Sequence, residues 1–164
     1  MQYRDATIDD LPIIVDIYNS IIPGRLVTAE TEMVTVADKM EWFNKHTQGI
    51  RPLWMAEEQG NVIGWVSFQD FYGRPAYKKT AEISIYLQES YRGKGYGKKI
   101  LKHCINAANG LGLENLLGFI FSHNVPSINL FLLQGFEEWG ELKNVALMDG
   151  ITYSVKILGK NIHC

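Results

Sequence analysis

Two periods of apolar and polar residues run along this chain, and the points where one gives way to the other mark its elements. Residues 2 to 6 suit a short strand. Thr7 and Asp10 form a capping box that opens a helix presenting Leu11, Ile14, Tyr18 and Ile21 on one side, with its end expected near Pro23-Gly24. No clean period runs through RLVTAETEMVT, residues 25 to 35, which predicts a loop, and a loop of this length is often functional. Thr35 and Asp38 then start a second helix expected to bury Val36, Met40 and Phe43. In PLWMAEEQGNVIGWVSFQDF two strands meet at Gln59-Gly60-Asn61, a hairpin signal.

The next strand covers 80 to 88. Within its TAEISIYL segment, Ala81, Ile83, Ile85 and Leu87 take one face and Glu82, Ser84 and Tyr86 the other, because side chains alternate across a strand. A turn with three glycines follows, and then an amphipathic helix that Gly110 and Gly112 stop. LLGFIF, 116 to 121, reads as a buried strand, with a short helix from about 125 to 134 after it. Gly135-Phe136 returns the chain to strand, and two closing strands, near 136 to 143 and 151 to 158, surround a turn at Asp149-Gly150. Helices first, an antiparallel run, one strand-helix-strand crossover and a late hairpin predict a single α+β domain over 1 to 164, built on a mixed sheet rather than a doubly wound one.

Composition narrows the function classes. With 164 residues, 46% of them apolar, the chain can build one core, and a formal charge of -2 provides no basic field for nucleic acid or an anionic membrane. No apolar run approaches the roughly 20 residues that span a bilayer, and the first residues lack a signal-peptide pattern, so a cytosolic protein is expected. The two cysteines, Cys104 and Cys164, make neither a disulfide framework nor a metal spacing. Cys104 shares a helical face with Ile100, Leu101, Ile105 and Ala108, which predicts a buried structural thiol. His46, His103, His123 and His163 have no paired ligand spacing, and no metal is expected.

Local chemistry concentrates at Arg92-Gly93-Lys94-Gly95-Tyr96-Gly97. This turn joins a strand to a helix, so its amides and the positive helix end converge on any anion placed there, and glycines let a phosphate come close. Arg92, Lys94, Lys98 and Lys99 put positive charge where a helix normally prefers acidic residues, which favours an anionic ligand over a merely solvated basic face. A Walker A loop is excluded because GxxxxGK[ST] is missing, and a dinucleotide fingerprint because Lys98 replaces its third glycine.

At this turn the chain resembles the GNAT N-acetyltransferase superfamily, whose pyrophosphate loop [QR]xxGx[GA] matches Arg92, Gly95 and Gly97. It is more similar still to the phosphinothricin N-acetyltransferase subgroup, through IYNSII, TAEISIYL, HNVPSINLF and LLQGFEE. The resemblance implies a central, mostly antiparallel twisted sheet flanked by helices, with a coenzyme slot between two splayed parallel strands. It further implies acetyl-coenzyme A with its pyrophosphate on the amides of residues 93 to 98, Gly93 through Lys98. Its pantetheine arm would run beside Ile85, Tyr86 and Leu87, with Asn124 and Ser127 touching that arm; the same two residues also read as a helix N-cap pair.

Spacing alone leaves Glu82 a solvent-facing carboxylate, whereas the resemblance places it where the subgroup has its catalytic glutamate. Only a neutral amine attacks a thioester, and a primary amine is mostly ammonium at neutral pH, so a base is needed. Direct transfer is expected, with no acyl-enzyme, and with strand amides near Ile85 and Leu87 polarising the acetyl oxygen. Where the superfamily often has a tyrosine, and the subgroup a histidine, to protonate the leaving thiolate, this chain has Phe131; Tyr86, Tyr72 or water would substitute, or departure needs little help because a thiol titrates near about 8.5.

For the acceptor, FYGRPAYKKTAE resembles the subgroup's substrate loop, which brings Tyr72, Arg74 and Tyr77 forward. Arg74 reads as a partner for a substrate carboxylate or as a solvated loop residue. The 25 to 35 loop, with Glu30 and Thr31, is expected to close another side. The subgroup's late GxWxDV is replaced by Gly150 to Val155 without its Trp and Asp, which argues against phosphinothricin itself while leaving a small amino acid analogue as the expected acceptor. A peptide N-terminal acetyltransferase would share the coenzyme site, and a noncatalytic coenzyme sensor is disfavoured by Glu82. A homodimer follows from the resemblance alone.

Overall fold

The computed structural model describes residues 1–46 and 48–162, so His163 and Cys164 lie outside it. One seven-stranded sheet runs through the chain in the order β1-β2-β3-β4-β5-β7-β6. The strands are β1 (Gln2–Asp5), β2 (Leu53–Glu58), β3 (Asn61–Asp70), β4 (Thr80–Leu87), β5 (Asn115–Phe121), β6 (Glu137–Met148) and β7 (Ile151–Asn161). Helices α1 (Leu11–Asn19) and α2 (Val36–Asn44) cover one face, and α3 (Tyr96–Ala107) and α4 (Val125–Leu132) the other. Every neighbouring pair is antiparallel except β4 and β5, which the α3 crossover makes parallel. This is the mixed α/β arrangement that the resemblance implied.

Alternation along the strands builds a core on each face. Leu53, Met55 and Trp65 point to α1, while Ala56, Val66, Phe68, Ala81, Ile83, Leu116 and Leu158 point to α3 and α4. Leu11, Ile14, Ile100, Leu101 and Cys104 close these cores at 0–1% exposure, and each fully buried Leu or Ile stabilises the fold by roughly 1.5–3 kcal/mol over its exposed state. Cys104 is thus a packing residue, and burial pushes its thiol well above the ordinary range. Both hairpin turns form as expected, with the left-handed pairs Gln59-Gly60 (φ 52° and 78°) and Asp149-Gly150 (φ 52° and 78°) that a type I′ turn requires.

Several boundaries differ from the expectation. The first helix stops at Asn19, because the Ser20 hydroxyl donates back to Ile17 O (2.6 Å), and Ile22–Gly24 form a separate 3-10 turn. The second helix fully buries none of its residues. It packs mainly on α1, with Trp42 against Trp65 of β3, so Met40 and Phe43 are only half-buried and Val36 is 37% exposed. β6 runs on to Met148 because a register shift between Leu142 and Ala146, with Asn144 left-handed, absorbs the break in alternation that ended the expected strand, and β7 runs on to Asn161, where residues 159–161 pair with β5.

Candidate active site

β4 and β5 part company early. They pair only from Thr80–Glu82 to Asn115–Leu117, after which β4 stays with β3 up to Leu87 and leaves β5. The departure has a local cause at Gly64, opposite Leu87: a Cβ there would sit 2.3 Å from Tyr86 O, so a glycine lets β4 lean onto β3. The gap becomes a cavity of about 190 Å³ lined by Ile85, Tyr86, Leu87, Phe119, Asn124 and Phe131 among others. The Gln88 amide donates to Ile63 O (2.9 Å) on the β3 side, so strand alternation turns the amides of Ile85 and Leu87 toward the gap, where β5 no longer pairs with them.

The glycine turn lies at the mouth of this gap. Gly93 (φ 70°) and Gly95 (φ 81°) are both left-handed, Gly95 is the N-cap of α3, and a Cβ at either would meet nothing within 4 Å. No side chain caps the helix and no acidic residue stands in its first turn, so its leading amides face an open, glycine-walled space beside the exposed Lys94, Lys98 and Lys99. That donor set fits a pyrophosphate, and the apolar gap behind it fits a pantetheine arm. Tyr96 and Gly97 are half-buried, and Gly97 lines the gap. Arg92 lines it too, but its guanidinium is engaged with Leu87 O (3.0 Å) and Ser20 Oγ (3.0 Å), tying the turn to β4 and to the end of α1.

Glu82 faces a second cavity, of about 240 Å³, on the α1/α2 side of the sheet. Register explains its company: Glu82 pairs with Gln69, Ser84 with Ser67 and Tyr86 with Trp65, and directly opposed residues share a face. Tyr18 and Trp42 complete an aromatic wall, with ring centroids 5.3 Å (Tyr18–Tyr86), 4.3 Å (Trp65–Tyr86) and 5.5 Å (Trp42–Trp65) apart. Burial raises the Glu82 carboxyl above the usual glutamate range and, with Tyr18 beside it, holds Tyr86 as a neutral phenol. Ser84 and Tyr86 line both this cavity and the β4–β5 gap, so the carboxylate and the gap communicate across one strand.

The other expected site residues are spread around this centre. Asn124 caps α4, accepting from Ser127 N (3.2 Å) and donating to Leu26 O (3.1 Å); the cap reading therefore holds, while both residues still line the gap. Together with His123, whose Nε2 lies 2.8 Å from Arg25 O, and the Tyr18–Thr28 hydroxyl pair (2.5 Å), Asn124 pins the loop after α1 over the site. Glu30 is exposed at that loop, 3.9 Å from Lys39 Nζ. Tyr72, Arg74 and Tyr77 are exposed beyond β3 and line neither the gap nor the Glu82 cavity; Tyr72 and Tyr77 cluster with Phe71, which stacks on Phe119 at 6.5 Å. Phe131 packs on Gly118 and on Phe136 (4.7 Å) while lining the gap. Trp65, Ser67, Gln69, Trp42 and Lys39 went unrecognised from sequence. The alternation W-V-S-F-Q, polar residues on an otherwise apolar strand, carried the signal for the first three.

Comparison with known proteins gives this geometry a family context. The family model described as "Acetyltransferase (GNAT) family" matches residues 14–136. The Bacillus subtilis (strain 168) protein YwnH, provisionally named a phosphinothricin acetyltransferase, is 53% identical over 163 residues, 99% of each chain. The L-methionine sulfoximine/L-methionine sulfone acetyltransferase of Pseudomonas aeruginosa (strain PAO1) is 32% identical over 143 residues, 87% of this chain and 83% of the relative. A crystal structure of a phosphinothricin acetyltransferase from Sinorhizobium meliloti in complex with acetyl-coenzyme A superposes with a TM-score of 0.90 at 30% identity, covering 98% of this chain and 88% of that one.

Proposed function

The chain belongs to the GNAT family and is an acetyl-coenzyme A-dependent N-acetyltransferase of small amines, and we propose that its acceptor is a small amino acid or amino acid analogue whose amine is deprotonated by Glu82. The observation that carries this reading is the Glu82 carboxylate, raised by burial and set in a cavity that meets the β4–β5 gap across Ser84 and Tyr86. The names of the relatives, which act on amino acid analogues, support the acceptor class.

Roles follow from position. The amides of residues 93–98 and the uncapped start of α3 hold the pyrophosphate; the coenzyme supplies an acetyl thioester. The Ile85 and Leu87 amides, turned into the gap, are placed to polarise a carbonyl oxygen there. Glu82 takes a proton from the acceptor ammonium directly or through water, and its raised pKa brings it nearer to the working pH. The chain offers no acid at Phe131, so a thiolate leaves unaided or with Tyr86, kept a neutral phenol, as donor. We also infer a homodimer, supported by the resemblance and by the exposed apolar Val145, Leu147 and Ile151 of the β6–β7 edge; sedimentation velocity tests it.

Glu82→Gln tests the chemistry. Acetyl-coenzyme A affinity is expected to stay while turnover falls by roughly 10²- to 10⁴-fold, with partial rescue as pH rises and the acceptor amine loses its proton unaided. In the wild type the acidic limb of kcat/KM should lie above the pH of an ordinary glutamate, since burial raises the group. Full activity of Glu82→Gln between pH 6 and 9 would remove Glu82 from the mechanism.

A further inference from the structure

The Glu82 cavity contains a second charge that this chemistry does not use. Lys39 reaches it from α2, with its side chain only 19% exposed. Its Nζ lies 4.3 Å from the Tyr18 ring centroid and 5.7 Å from that of Trp42, two walls of the same cavity. Its nearest carboxylate, Glu30 Oε1, stands at 3.9 Å, beyond hydrogen-bond length, and is itself 46% exposed. Aromatic faces attract a cation but accept no N–H bond of ordinary strength, so the ammonium keeps donors to share.

Around Lys39 and Glu82 the walls are apolar and aromatic, from Ile14, Tyr18, Trp42 and Trp65, with Ser67 and Gln69 on the floor. One cation and one anion in a small cavity with aromatic walls and a polar floor complement a zwitterion. Arg74, the cation that sequence alone put forward for a substrate carboxylate, is exposed and lines neither this cavity nor the gap. We propose that Lys39, rather than Arg74, binds the carboxylate of an α-amino acid acceptor, so that Lys39 and Glu82 together select the zwitterion over a simple amine. The proposal rests on the reading of Glu82 as the group that meets the acceptor nitrogen. Lys39 is then a specificity residue: a carboxylate gains a charge-assisted bond from it, whereas a simple amine has no group to accept that bond.

The test uses three pairs of acceptors that differ only in the carboxylate: L-methionine and 3-(methylthio)propylamine, L-leucine and isopentylamine, L-phenylalanine and phenethylamine. Wild-type protein should favour the amino acid in its best pair. In Lys39→Met the ratio of kcat/KM for that amino acid over its amine should fall by about 10- to 100-fold, mostly through KM, as expected for one lost charge-assisted bond. Lys39→Arg should retain most of the ratio, Arg74→Met should leave it unchanged, and Lys39→Gln repeats the test if Lys39→Met folds poorly. A ratio unchanged in folded Lys39→Met, or lost in Arg74→Met, overturns the proposal for Lys39 alone. A wild type that shows no preference for the amino acid in any pair overturns the acceptor class with it, and a Glu82→Gln variant of full activity overturns the base assignment separately.

Discussion

Asp10 joins strand to helix through one carboxylate. It accepts from Arg4 at both oxygens (2.7 Å each) and from the Thr7 amide (2.7 Å), and the Arg4 hydrogen bond is the main reason its pKa drops to about 2. A free aspartate titrates near 3.8, so the unfolded chain takes up this proton first. The contribution to stability is therefore complete above that value and drains away as pH falls toward 2. Asp10→Asn should destabilise the protein at pH 6 by about 1–3 kcal/mol, allowing for an Arg4 that is partly solvent-exposed, and the gap between mutant and wild type in urea unfolding should shrink by pH 2.5. A gap that stays constant from pH 6 to 2.5 would contradict this account. Spacing made the Thr7–Asp10 contact legible in the sequence, but not Arg4, which arrives only because β1 pairs with β2. Glu82 is a parallel case. Its face followed from alternation, whereas Lys39 and Trp42 became visible only with α2 docked on α1, since helical periodicity cannot say which neighbour a half-buried face will meet.

Among the elements, β4 carries most of the functional design, because one edge builds the sheet and the other is released. Gly64 sets this balance. A methyl group there would collide with backbone, 2.3 Å from Tyr86 O and 3.1 Å from Leu87 Cα, and flexible side chains cannot absorb that. Gly64→Ala should push the end of β4 off β3 and into the gap, lowering acetyl-coenzyme A affinity by at least roughly tenfold while costing about 1–3 kcal/mol of stability. Calorimetric titration with unaltered affinity in the folded mutant would show that the gap does not depend on this contact. Hairpins, the crossover and the order of elements were readable because each is fixed by local turn chemistry and period. The splay of β4 from β5 entered only through resemblance, since it depends on a contact between Gly64 and Tyr86 far apart in sequence. The extension of β6 was hidden by a bulge that interrupts the very alternation used to find strands, and that of β7 by its pairing with β5, a contact distant in sequence.

For the whole molecule, the gap makes the coenzyme a strut as well as a substrate. Its lining draws on Ile21 and Val27 near one core, and on Leu130 and Phe131 at the other, so a ligand there ties the two layers across the sheet. A ligand that binds only the folded state stabilises it by about 2.7 kcal/mol at 100 times Kd, which for a domain of this size corresponds to roughly 5–11 °C in Tm. Acetyl-coenzyme A should produce a rise of that order in a thermal melt. Gly95→Val should abolish the rise, because φ of 81° strains a β-branched residue and its side chain would fill the open space over the helix amides where the pyrophosphate is placed. The unliganded mutant should melt only a few degrees lower, since the turn is exposed and packs against little. Lys94→Ala, by contrast, should keep most of the rise and lose part of it mainly at low salt, because an exposed cation acts through screened charge. If Gly95→Val kept the full rise with acetyl-coenzyme A, the pyrophosphate would have to sit elsewhere, and the fit between this turn and an anion would be accidental.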